Sequence, residues 1–282
     1  MTERARRLRA LLAPLPALLL GLGLHRRVTG QLAAACAAAL LGLFAARRDR
    51  RWIAHRAWPL ALASLALLAA TQLGPGIAGV HRWVGPAALR AHASAIVSPW
   101  IIAVVGVWAS TGPRALALAV GATALHAAQP DAAQATAVAL GTTAAMHRDP
   151  WRAASAVLTG ALAAWTWSRP DPLPAVAAVE GVVRLAHEAW GAAGLVAALG
   201  AMALIPLAAM ERALHDAWDT RVDDAVSLGL AAYLAGVCLA PAYGNFPVPV
   251  MGYGASHLAG VSLALGLAAG ARHGRPQERA AG

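Results

Sequence analysis

Phe246-Pro-Val-Pro-Val-Met-Gly-Tyr-Gly-Ala-Ser-His-Leu258 interrupts a chain that is otherwise lipid-soluble for most of its length. Non-helical backbone survives at membrane depth only where protein buries it or where it lines a wet cavity. Two prolines and two glycines break any helix here, and Tyr253, Ser256 and His257 add polar groups. The run therefore marks a site, and the spans on either side of it set the fold.

Those spans recur along the whole chain. Residues 10–24, 30–46, 57–75, 94–110, 114–129, 132–146, 152–168, 189–210, 224–242 and 255–271 each read as an apolar helix. The composition agrees, at 59% hydrophobic and 13% charged residues. Such values predict an all-α, polytopic membrane protein with about ten transmembrane helices. Several spans fall short of the roughly 20 residues that cross a bilayer upright. No soluble domain or long linker interrupts them, so residues 1–282 read as one integral membrane domain. An apolar first span after an Arg-rich start reads as an uncleaved helix, because no polar mature domain follows it.

All 23 basic residues are Arg, and the formal net charge is +10. In a soluble protein this excess would suggest nucleic acid; here the positive-inside rule accounts for it. With ten spans and a cytoplasmic N-terminus, the outer side keeps only Arg26, Arg27, Arg82, Arg90, Arg169 and Arg184. Both termini are then expected in the cytoplasm. The same orientation leaves four outward acids, Asp131, Asp171, Glu180 and Glu188. Cys36 and Cys238 show no ligand spacing and read as small buried hydrophobes.

Irregular sequence also gathers on the outer side: 79–86, 129–131, 171–188 and 246–258. Four such elements facing one way predict an outward-opening cavity. Each residue there has a plain structural reading too. Asp131 suits an N-cap for the next helix, and Ser256 a cap for the last one. Trp83 reads as an interfacial belt residue or as a sugar platform. Asp171 reads as a turn residue in a Pro-rich segment. His81, His92, His187 and His257 show no metal-ligand spacing, so no protein metal cage is expected. A transporter would call for midplane charges or inverted repeats, and the charges sit in loops.

Three of these elements resemble motifs of the shape, elongation, division and sporulation (SEDS) family, in the family's order. Gly79, Arg82 and Trp83 resemble its Gly-Ala-x-Arg-Trp after the third helix. Gln129-Pro-Asp131, leading into Ala137 and Val138, resembles its Gln-Pro-Asp-Leu-Gly-Thr-Ala-Leu-Val. Pro247, Pro249, Tyr253, Gly254 and Ser256 resemble its Pro-Leu-Pro-Phe-x-Ser-Tyr-Gly-Gly-Ser before the last helix. A fourth match, His187-Glu-Ala-Trp-Gly-Ala-Ala-Gly194, resembles Glu-Glu-Leu-Gly-Phe-x-Gly. Counting back eight residues from Glu188 reaches Glu180, where the family carries its catalytic Asp. Counting forward from Leu173-Pro174 reaches Val179, and only Glu180 offers a carboxylate. The chain departs from the family at Arg90-Ala-His-Ala-Ser94, which lacks the Glu and Lys of Gln-Pro-Ser-Glu-x-x-Lys. Its outer segment before helix eight also lacks the family's Gly-rich half.

The resemblance implies a SEDS-type fold in the bacterial cytoplasmic membrane. It also implies polymerisation of an undecaprenyl-pyrophosphate-linked glycan on the outer leaflet, as a peptidoglycan glycosyltransferase of elongation or division. Glu180 would be the catalytic base, and Arg82, Trp83, Arg184, Tyr253, Gly254 and Ser256 would bind substrate. Gln129, Asp131, Glu188 and Pro249 would be structural. Beyond membrane lipids and the lipid-linked precursor, the implied partner is a single-span class B penicillin-binding protein, with no nucleic acid. A divalent cation would arrive with the substrate pyrophosphate. Two alternatives stand beside this reading: Glu180 as an interfacial Glu paired with Arg184 at i+4, and the chain as a non-catalytic relative that binds or flips lipid-linked sugars.

Overall fold

The structure, a computed structural model, describes residues 12–24, 28–86, 90–109, 111–169, 171–215, 225–252 and 254–271. It is built from helices α1 (Leu15–Leu24), α2 (Val28–Ala46), α3 (Arg50–His55), α4 (Ala57–Ala70), α5 (Ala93–Trp108), α6 (Arg114–Ala128), α7 (Ala132–Ala145), α8 (Arg152–Trp167), α9 (Val182–His215), α10 (Ala225–Leu239) and α11 (Ala255–Gly270). Two two-residue strands, β1 (Trp83–Val84) and β2 (Ala91–His92), pair antiparallel between α4 and α5. The all-α expectation holds.

α5 is the axis of the bundle. All its residues except Ile96 and Trp100 are buried, and α4, α6, α7, α10 and α11 all pack on it. The outer faces of the other helices are apolar and exposed, with Val196 at 69% and Leu40 at 67%. In water such a surface would aggregate; against acyl chains it is stable. Two helical stretches, Val182–Glu211 and Ala225–Ala242, are long and apolar enough to cross a membrane on length and composition. Cys238 is buried, but Cys36 lies exposed on the outer face of α2 and so departs from the buried reading.

Close backbone approach replaces large side chains where α7 meets α10. A methyl group on Gly229 would stand 2.7 Å from Ala145 Cβ and 2.9 Å from the Gly141 carbonyl oxygen. Without a hydrophobic drive between helices in lipid, this packing of small residues holds the pair. Gly229→Ala is therefore expected to destabilise by about 1–3 kcal/mol through overpacking, read as an earlier thermal transition in detergent.

Two elements differ from the sequence expectation. The long outer segment ends at Val182, not near residue 189, because α9 begins with a half-helix that breaks at Gly191 (φ 61°, ψ −146°). That half-helix carries Arg184, His187 and Glu188, and its polarity hides it from a search for apolar runs. α3 is likewise unforeseen: it is six residues long, and Asp49 caps it by accepting a hydrogen bond from Trp52 N–H at 2.7 Å.

Candidate functional site

Four irregular elements converge at one end of the bundle, and hydrogen bonds between them fix the geometry. Gln129 is fully buried where α6 ends. Its amide donates to Thr71 Oγ1 at 2.7 Å and to the Leu68 carbonyl at 3.1 Å, and its oxygen accepts from Ser94 at 2.9 Å. One side chain thus ties together the ends of α4, α5 and α6. Two residues on, Asp131 caps α7 by accepting from Gln134 N–H at 3.2 Å. Capping holds one carboxylate oxygen. The other is buried without a hydrogen-bond partner.

That free oxygen looks onto Arg82 and His92. Arg82 Nε lies 3.9 Å away and His92 Nε2 3.4 Å away. Arg82 is only 5% exposed, and its Nη2 donates to Asp171 at 2.7 Å and to the Pro130 carbonyl. Asp171 completes its own turn by accepting from Leu173 N–H at 3.1 Å. A single guanidinium therefore braces the 79–86 loop, the 129–131 turn and the segment that leads to Glu180. Nη2 serves Asp171 and the Pro130 carbonyl while Nε stands beside Asp131, a spread of nitrogens that a Lys ammonium does not have.

His92 sits in the second strand, and its ring meets Trp83 edge-on at 5.8 Å and His257 at 4.8 Å. Burial chiefly, with the nearby Arg82 and His126, pushes its pKa down to about 3. The imidazole is neutral, so its contact with Asp131 is dipolar and not an ion pair. Its backbone N–H donates to Ser256 Oγ at 3.0 Å. Ser256 therefore serves the 92 strand, and the residue in the N-cap position of α11 is Gly254, which makes no side-chain cap bond.

The run that opens the sequence analysis docks on the Glu180 segment. Val248 N–H donates to the Val179 carbonyl at 2.9 Å. A side chain at Gly252 would stand 2.6 Å from the same oxygen, so only glycine allows the contact. Val250 is held at φ 66°, costly for a β-branched residue. Gln31, in the first turn of α2, steadies it with amide contacts of 3.4 Å to the Val250 carbonyl and 3.3 Å to that of Gly252. Pro249 is buried in this loop. Tyr253 lies outside the described residues.

Glu180 is half-buried and accepts from Val176 N–H at 2.6 Å. Burial raises its pKa and Asp171 adds to the rise, while hydrogen bonds from Val176 and its own N–H, with Arg82, pull the other way. It does not pair with Arg184, which instead bridges to Glu188 at 3.2 Å on the exposed half-helix. Three carboxylates thus face one guanidinium.

The surroundings of Glu180 divide into two compartments. On one side is a polar cleft of about 60 Å³ with Arg82, Trp83, His92, Asp131 and Asp171 in its walls. On the other is an apolar groove of about 630 Å³ between α9 and α10, bounded by Leu195, Leu199, Met202 and Leu239, with Arg184 and His187 at its rim. Glu180 and Asn245 line both. Beneath the cleft, Ser98 and Gln134 lie 3.4 Å apart, and Tyr233 donates to Gln134 at 3.1 Å. Sequence reasoning missed Gln31, Asn245 and the meeting of His92 with His257. For Gln31 the available signal was a lone amide inside an apolar span.

No family model and no curated protein matches the chain. Solved structures do. The crystal structure of Thermus thermophilus rod shape determining protein RodA is 22% identical and covers 97% of each chain, with a TM-score of 0.74. A variant of that RodA with one aspartate replaced by alanine gives 21% identity and a TM-score of 0.74, over 97% of this chain and 98% of that one. A chain from a structure described as the structural coordination of polymerization and crosslinking by a peptidoglycan synthase complex is 21% identical, with a TM-score of 0.70 over 96% and 98%. At these identities the likeness shows the fold: the chain has the SEDS-type architecture of RodA, a polytopic membrane protein.

Proposed function

We propose that the chain is a glycosyltransferase that extends a polyprenyl-pyrophosphate-linked glycan on the outer leaflet of the bacterial cytoplasmic membrane. The substrate is of the lipid II type, and the product is peptidoglycan strand made for elongation or division. One observation carries this reading: Glu180 stands where a polar cleft meets an apolar groove. A lipid-linked sugar has that same division, with a charged diphosphate and sugar joined to a long hydrocarbon. The RodA-like fold and the motifs at 79–83, 129–131 and 247–256 support it.

In this reading Glu180 takes the proton from the acceptor sugar hydroxyl. The resulting oxygen attacks the anomeric carbon of the donor, and the carbon–oxygen bond to the diphosphate breaks with its electron pair on the leaving group. Partial burial of Glu180 suits the task, because a raised pKa makes a carboxylate a stronger base once ionised. Asp131 and Arg82 hold the cleft walls and Gln129 and Pro249 hold the elements behind them, while Glu188 pairs with Arg184 on the exposed half-helix. Trp83 offers an apolar face for a sugar ring. Phe246, Pro247 and His257 of the 246–258 run line the cleft, and Ser256 ties that run to the His92 strand.

Three carboxylates beside one guanidinium repel a free diphosphate, so a divalent cation bound with the substrate fits this electrostatics. Such an ion would screen the charge of the leaving group. Among the described residues no cluster of three His, Cys, Asp or Glu forms a cage for it. Asp171 and Glu180 are the carboxylates placed to touch it. A single-span class B penicillin-binding protein is the proposed partner.

A second reading has one observation in its favour. At about 60 Å³ the cleft holds on the order of two waters, and both Arg82 and Glu180 already have partners. A binder or flippase of lipid-linked sugars would need no more. Purified protein reconstituted with lipid-linked disaccharide precursor, with and without the partner, separates the two: the transferase yields a polymer ladder, and the binder yields none.

A further inference from the structure

The end of the bundle opposite the cleft carries its own built feature, one that owes nothing to the transferase reading. Where α2 ends and α3 and α4 begin, Arg47, Arg48, Arg51 and Arg56 follow within ten residues of chain, and Arg114 joins them from the start of α6. Orientation alone would be satisfied by solvated arginines. Arg48, Arg56 and Arg114 are instead laid on aromatic rings. Arg48 stands 4.0 Å from the centre of Phe44 and 4.8 Å from that of Trp52. Arg56 covers Trp52 at 4.7 Å, and Arg114 reaches Trp58 at 5.7 Å. The indoles are fixed in turn, Trp52 against Trp100 and Trp58 against Trp108 at 4.9 Å between ring centres.

Stacking fixes these cations without neutralising them. Among the described residues none of Arg47, Arg48, Arg51, Arg56 or Arg114 pairs with a carboxylate. Asp49, next to Arg48 in the chain, caps α3 through one carboxylate oxygen. Arg48 Nε is buried with no hydrogen-bond partner. On the neighbouring turns of α2 and α4, Leu40, Leu43, Phe44, Trp58 and Leu62 are all exposed.

We infer that this collar is a binding site for the phosphodiester headgroup of an anionic phospholipid in the leaflet opposite the cleft. Arg48, Arg56 and Arg114 present the guanidiniums, and the two acyl chains lie along Leu40, Leu43 and Leu62. A soluble acidic partner would meet the same charge, but it would gain nothing from the apolar surface that continues beneath it. A diacyl lipid uses both. The bound lipid would clamp α2, α3, α4 and α6 at their shared end.

The test uses the purified full chain, stripped of lipid in neutral detergent, with bound lipids counted by native mass spectrometry. Phosphatidylglycerol is compared with phosphatidylcholine of the same chains, and sodium phosphate is a third probe. Wild-type protein is expected to retain phosphatidylglycerol under conditions that remove phosphatidylcholine. An arginine beside an anionic headgroup contributes about fivefold in affinity, so Arg48→Gln with Arg56→Gln should lower phosphatidylglycerol binding by about tenfold or more. Arg90→Gln, at the other end, should change nothing. Equal retention of the two lipids by wild type would overturn the assignment even if the double variant misfolds. Binding of phosphate alone with no preference between lipids would also overturn it, assigning the collar to a soluble anion.

Discussion

Arg82→Ala is expected to cost about 3–5 kcal/mol of stability, because removing one member of a buried charge cluster leaves the others unpaired. Asp171 and Asp131 would both lose the guanidinium beside them, and the Pro130 carbonyl would lose its donor. Arg82 and Asp131 are buried, with side-chain exposures of 7% and 3%, and Asp171 is half-buried at 22%, so solvent screens part of the Asp171 contribution and little of the rest. Arg82→Lys should recover only part, since the shorter side chain ends in one nitrogen and cannot serve Asp171 and Pro130 while keeping a second nitrogen beside Asp131. Thermal or denaturant unfolding in detergent measures both variants. Melting of Arg82→Ala within about 0.5 kcal/mol of wild type, as for an ordinary surface change, would show that the three outer segments hold together without it.

Glu180→Gln should remove polymer synthesis by about 10²- to 10⁴-fold, the span that general-base groups contribute, with little effect on stability. Gln keeps the size and an acceptor oxygen for Val176 N–H but cannot take a proton. Glu180→Asp withdraws the carboxylate by one methylene, and a misplacement of about 1 Å costs on the order of 10²-fold. The pH profile carries the sign. A base acts when ionised, and the pKa of Glu180 is raised. Activity should therefore climb with pH along a limb that lies above the ordinary Glu value of about 4.3, and that limb should vanish in the Gln variant. Stability runs the opposite way for this group: burial favours the protonated form, so its contribution is full at acid pH and falls as pH rises through the folded-state value. Equal polymer from wild type and Glu180→Gln would remove Glu180 as the base.

Much of the fold was legible because apolar runs of helical length are a strong signal, and α5, α6, α7, α8, α10 and α11 lie close to where hydropathy puts them. The start of α9 was not. Val182–Trp190 carries Arg184, His187 and Glu188 among its nine residues, and a break at a positive-φ glycine inside a helix leaves no mark on hydropathy. The two-residue strands are below the length at which alternation means anything. At the site, Glu180 and Arg82 were found through motif spacing, and the structure sets both around one cleft. What spacing could not show was which partner each takes. Arg184 had two acids at four-residue spacing, and it pairs with Glu188. Ser256 had a ready role as helix cap, yet its hydroxyl accepts from a strand 164 residues earlier. Gln31 contacts a loop more than 200 residues away in sequence. Such contacts belong to tertiary structure alone.

The central claim is that one lipid-linked sugar spans both compartments, with its reacting bond beside Glu180. A polyprenyl diphosphate sugar bearing a photoreactive diazirine near the head of its hydrocarbon chain tests this directly in reconstituted protein. Cross-linking followed by peptide mapping should place the label on Leu195, Leu199 or Met202 of the α9–α10 groove, and an excess of unlabelled precursor should compete it away. Label instead in the apolar crevice formed by Leu15, Leu18, Ala39 and Leu265 between α1, α2 and α11, or spread evenly over the lipid-facing surface, would contradict the account.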